Sequence, residues 1–120
     1  MSKLLLCDPE KKNYDIRKLL ASSGVSDFEV IEEADTKKAQ ERIEKGENFD
    51  AAVFGYEFDV GDSFGTINFL NRHREIPSIV LVYPSEMGVS NYARKRGIAS
   101  VYRNDINFYL GDMIKKKTSK

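Results

Sequence analysis

Cysteine, histidine, proline and net charge are all scarce in this chain of 120 residues. The single cysteine, Cys7, excludes an internal disulfide framework. One cysteine and one histidine, His73, are too few for a tetrahedral zinc site. No Pro/Gly/Ser-rich linker, internal repeat or low-complexity stretch divides the sequence, so one domain over residues 1–120 is expected. Nineteen Lys/Arg offset nineteen Asp/Glu, which gives no global attraction to nucleic acid or an anionic membrane. No apolar run approaches the roughly 18 residues of a membrane span. The run Leu4–Cys7 also falls short of the about 7–15 residues of a secretory h-region. It is read as a buried strand of a protein expected in the cytoplasm.

What is present is a strand-then-helix alternation, five times over. Leu4–Cys7 is the first strand, and Asp8-Pro9 is read as the N-cap and first position of the next helix. Ile16, Leu19 and Leu20 have helical spacing, closed by Gly24. Phe28–Ile31 is a second strand, followed by a helix opened by Asp35 or Thr36, with Ala39 and Ile43 inward and Gly46 as terminator. Asp50–Gly55 and Ile79–Val82 are non-alternating apolar runs, the mark of strands covered on both faces. Ile67, Phe69 and Leu70 lie on a third helix, and about 85–96 form a fourth, closed by Gly97. Val101–Arg103 is the last strand. Ile106, Tyr109, Leu110 and Met113 then follow the i, i+3, i+4, i+7 spacing of an amphipathic helix. Residues 115–120 are polar and expected to fray. The fold class is α/β: a five-stranded parallel sheet of flavodoxin-like order 2-1-3-4-5 with helices on both faces. Its site belongs at the carboxyl ends of the strands, after Cys7, Phe54, Val82 and Arg103.

The chain resembles the receiver domains of bacterial two-component response regulators over nearly its whole length. The similar stretches are Leu4–Glu10, Phe49–Phe54, Ile76–Val82 and Arg96–Tyr102. The resemblance implies phosphoryl transfer to an Asp carboxylate at the end of the third strand, assisted by Mg²⁺ on acids at the end of the first. It places the acceptor at Gly55, which has no side chain. Asp8 is retained, with Pro9 at the partner acid; a one-residue shift gives Asp8 the second role and makes Cys7 the loss. The hydroxyl position maps to Val82, the lysine to Asn104 and the proline after it to Asp105. The switch aromatic maps to Val101, beside Tyr102. Four of five chemical positions therefore lack the required group, and the implied reading is a degenerate receiver.

Other acids occupy the loop Tyr56–Asp62. Glu57, with Asp8, is a weak metal candidate there, and Asp59 and Asp62 accompany it; a solvated turn is the ordinary reading of such residues. Cys7 reads as a small buried hydrophobe, and His73 as a surface residue at a helix end. No Gly-rich phosphate cradle, Ser-His-Asp set or paired-carboxylate motif supports an enzyme, and no cofactor is expected. The resemblance implies a partner-binding face on the fourth helix, fifth strand and fifth helix. Its candidates are Met87, Tyr92, Arg94, Arg96, Tyr102, Arg103 and Tyr109. A protein partner, or a second copy of the chain, is expected there rather than nucleic acid or membrane. Two rivals keep the crevice active: a receiver with a displaced acidic acceptor, or a small ligand in the space vacated between Asp8, Gly55 and Val82.

Overall fold

In the computed structural model, residues 2–25, 27–55 and 63–118 are described. Five parallel strands lie in the order β2-β1-β3-β4-β5. They are β1 (Ser2–Cys7), β2 (Phe28–Glu32), β3 (Ala51–Gly55), β4 (Ser78–Val82) and β5 (Ala99–Tyr102). The helices are α1 (Ile16–Ser22), α2 (Thr36–Glu44), α3 (Ser63–Arg72), α4 (Met87–Lys95) and α5 (Gly111–Thr118). The flavodoxin-like order expected from the alternation is the observed one.

Period-two alternation along each strand makes two cores. Leu5, Cys7, Ala52, Phe54, Val80 and Val82 face α2, α3 and α4, meeting Ala39, Ile43, Ile67, Leu70, Val89 and Ala93. Leu4, Leu6, Ala51, Val53, Ile79, Leu81 and Val101 face α1 and α5, meeting Ile16, Leu20, Leu110 and Ile114. Gly24, Gly46 and Gly97 all carry positive φ, as the helix-ending residues they were read to be.

Four local readings are corrected. Asp8 does not cap α1: Asp15 does, accepting from the Lys18 N–H at 3.2 Å. A 3-10 turn at Lys11–Asn13 and an extended Tyr14 separate Asp8 from the helix. The last helix begins as a π turn, Ile106–Leu110, whose wider spacing sets Ile106, Leu110 and Ile114 inward. Tyr109 is therefore turned out and 58% exposed. Lys115–Thr118 continue α5 instead of fraying, with the Thr118 hydroxyl donating to the Ile114 carbonyl at 2.8 Å. Arg103 lies just beyond β5, in a 3-10 turn.

Candidate functional site: a crevice filled by an ion pair

The switch point between β1 and β3 brings the ends of those strands side by side, with Cys7 paired to Phe54. Asp8 and Gly55 come next in the chain and stand level with each other. Asp8 is fully buried (0% exposed) and Arg103, arriving from the end of β5, has only 7% of its side chain exposed. The two form a bidentate pair: Nη2 donates to Oδ1 at 2.8 Å and Nη1 to Oδ2 at 3.1 Å. The Tyr14 hydroxyl donates to Oδ2 at 2.6 Å and the Glu10 backbone N–H to Oδ1 at 3.0 Å. Arg103 Nε lies 3.2 Å from Glu10 Oε2. Glu10 in turn accepts from the Tyr83 hydroxyl, and the Arg103 guanidinium lies 5.2 Å over the Tyr83 ring. One cation is thus held between two carboxylates and against the Tyr83 ring, while each carboxylate also accepts from a phenol.

Gly55 is the condition for this arrangement. A Cβ built there would fall far inside contact distance of the Asp8 carboxyl and 2.7 Å from Arg103 Nη2. Among the described residues, the space expected to be vacated between Asp8, Gly55 and Val82 is taken up beside Gly55 by the ion pair. Val82 is buried among the α3–α4 core and takes no part. Pro9 and Asn104 are exposed, so neither enters the crevice. Arg103, expected on a partner face, is an internal residue. It is drawn inward because two carboxylates solvate its charge where water cannot. Val101 is buried on the α1–α5 side, and the ring beside α4 is that of Tyr102. Glu57, Asp59 and Asp62 lie outside the described residues.

The titrating groups follow from these contacts. Burial, then the charge and hydrogen bond of Asp8, push the Tyr14 phenol upward. The hydrogen bond to Glu10, reinforced by burial, does the same to Tyr83. Burial disfavours the Arg103 cation, but hydrogen bonding and charge from Asp8, then the charge of Glu10, hold it above its ordinary value. Arg103 stays charged.

The Mg²⁺ that the resemblance implies does not fit these residues. Both oxygens of Asp8 are taken by four donors, Gly55 offers no ligand, and a guanidinium already neutralises the site. Among the described residues no three His, Cys, Asp or Glu side chains gather as a metal would need.

Cys7 faces the core with Sγ 3.9 Å from Thr36 Oγ1. Burial above all pushes its thiol up from 9.0 to about 11, against the lowering effect of the Thr36 contact. The unfolded chain then releases a proton that the folded chain retains, so stability falls as pH rises from 9.0 towards 11. Urea melts across that window are expected to show this decline, with a shallower slope in Cys7→Ala. An unchanged slope would refute the assignment to Cys7.

The five-stranded order and the site at the β1–β3 switch point define an α/β fold of the flavodoxin type. More particularly, it is the fold of receiver domains. The chain superposes on the receiver domain of a Francisella response regulator with TM-score 0.76 at 18% identity, covering 98% of this chain and 97% of that one. The receiver domain of NtrC4 from Aquifex aeolicus gives TM-score 0.75 at 18% identity, covering 98% and 96%. A Pseudomonas aeruginosa sensor-kinase receiver domain, solved with magnesium in its active-site cleft, gives 0.73 at 18%, covering 99% and 98%. No protein-family model and no curated protein matches the chain. Among the described residues no helix is long and apolar enough to cross a membrane.

Proposed function

We propose that this chain is a pseudo-receiver, a non-enzymatic interaction module of a two-component-type system that works without phosphorylation. The observation that carries the reading is the Asp8–Arg103 pair packed against Gly55. It occupies the space where an acceptor carboxylate and a metal-bound phosphoryl group would have to meet. The surface that remains for signalling flanks β5. Met87 on α4 is 60% exposed, and Phe108 and Tyr109 in the π turn are 73% and 58% exposed. Arg94 is exposed, while Tyr92, Arg96 and Tyr102 are half-buried. Large exposed apolar side chains near one strand fit a protein partner or a second copy of the chain.

The decisive experiment is incubation with acetyl phosphate, or with beryllofluoride, at millimolar Mg²⁺. The expected result is no acid-phosphate mass increment and no change in the Tyr83 or Tyr102 resonances. A stoichiometric, Mg²⁺-dependent modification at Glu57 or Asp59 would overturn the reading in favour of a displaced acceptor.

A further inference from the structure

At the opposite edge of the sheet, the amino ends of β4 and β5 frame a second concavity of about 350 Å³. Its floor is aliphatic: Leu70, Ile76 and Ile98 are buried there. Arg74 after α3, Arg96 after α4 and Lys117 on α5 line it from three separate elements. Among the described residues no ion pair engages any of these three cations. Arg74 Nε donates instead to the Asn71 amide oxygen at 2.8 Å. Arg96 Nη1 donates to the Tyr92 carbonyl at 3.2 Å, and its guanidinium stacks 3.4 Å over the Tyr92 ring. Both guanidinium groups are thus positioned by neutral partners with their charge uncompensated, whereas Arg103 and Arg42 are each bound by two carboxylates.

The zero net charge hides a strong asymmetry. Residues 63–120 hold ten Lys/Arg and four Asp/Glu, while residues 1–62 hold nine and fifteen. The concavity lies within the cationic half.

We propose that this concavity binds an acidic–apolar segment of a partner protein. An aliphatic side chain of the partner sits on the Leu70–Ile76–Ile98 floor, and flanking carboxylates meet Arg74, Arg96 and Lys117. Planar guanidinium groups match carboxylates in two-point contact, and side chains already held in place lose little freedom on binding. Bound single-stranded nucleic acid would call for aromatic stacking platforms along a cationic groove. The floor here is aliphatic. The inference rests on the interaction role above but uses a different edge of the sheet. Its failure therefore leaves the phosphodonor result standing, and the reverse.

Fluorescence anisotropy with a fluorescein-labelled peptide, two leucines flanked by glutamates, tests it on the full chain. Saturable, salt-sensitive binding is expected, weakened about tenfold or more by Arg74→Glu with Lys117→Glu. The milder pair Arg74→Gln and Lys117→Gln should weaken it in the same direction, and Arg17→Glu on the exposed side of α1 should not. A peptide with serines for the leucines should lose most of the affinity. The proposal is overturned by absence of saturation, by indifference to the Arg74 and Lys117 changes, or by equal binding of the serine peptide. Displacement of the peptide by a DNA or RNA oligonucleotide at physiological salt would likewise replace it with a nucleic-acid site.

Discussion

Arg103→Ala is expected to lower the melting temperature by on the order of 10–20 °C. Removing one member of a buried pair leaves the other charge buried and unpaired, at a cost of about 3–5 kcal/mol. For a domain of this size each kcal/mol moves the melting temperature by roughly 3–5 °C. The pair here is an extreme case of burial, since Asp8 has no exposed surface and keeps only a phenol and a backbone N–H once the guanidinium is gone. Two further results separate this account from a merely steric one. The double replacement Asp8→Leu with Arg103→Met should recover much of the loss, because removing both charges avoids the orphaned carboxylate. Arg103→Ala should also be stabilised by added Mg²⁺, through binding to the freed Asp8 and Glu10 carboxylates, while the unaltered chain should not respond. If Arg103→Ala melts within about 2 °C of the parent, the ion pair is not what holds the crevice.

The sheet was legible because each of its three central strands presents an uninterrupted apolar run. Leu4–Cys7, Ala51–Phe54 and Ile79–Val82 lie between two helical layers, so no position needed to be polar. The helix ends were legible where one side chain decides them, as Asp35 does by accepting from the Lys37 N–H at 2.8 Å. The π turn was not. Nothing local marks a turn of five residues, and the i+3 spacing of Tyr109 looks the same whether it faces in or out. That Gly55 and Val82 offer no acid or hydroxyl where the resemblance expects them could be read directly, but what stands beside Gly55 could not. Glu10 and Tyr14, Tyr83, and Arg103 come from three separate segments, up to 95 residues apart in the Asp8–Arg103 case. A long side chain that reaches across a sheet edge leaves no periodic trace. One signal was available nevertheless. Asp8, Tyr83 and Arg103 are each the first residue after a strand, the position that opens onto the carboxyl edge. Polar residues there in three strands are a constellation, even though no two are neighbours in sequence.

Gly55→Asp, which restores an acid where the resemblance expects one, should not restore the chemistry and should damage the fold. Its Cβ has no room beside Asp8 and Arg103, and overpacking of this kind costs about 1–3 kcal/mol before the added charge is considered. The new carboxylate also lies against Asp8, and like charges at this separation cannot both ionise cheaply. In the Arg103→Ala background the same substitution should behave differently. The guanidinium is gone, the Asp8 carboxyl is free to rotate away, and two acids then face one another with no internal cation. Non-additivity of about 0.5–3 kcal/mol is expected between the two sites. The double variant should also become dependent on Mg²⁺ for stability, its melting temperature rising with metal concentration as mass action requires. Calcium should substitute only in part, because the smaller ion suits a compact carboxylate pair better. Should Gly55→Asp be tolerated in the parent without loss of stability, the crevice has more space than the Asp8–Arg103 pair leaves. Should the double variant ignore Mg²⁺, Arg103 does not stand in for the metal. Both results in the expected direction would mean that the Arg103 cation takes the place a metal would have between these acids, and that glycine is at position 55 because the cation needs the room.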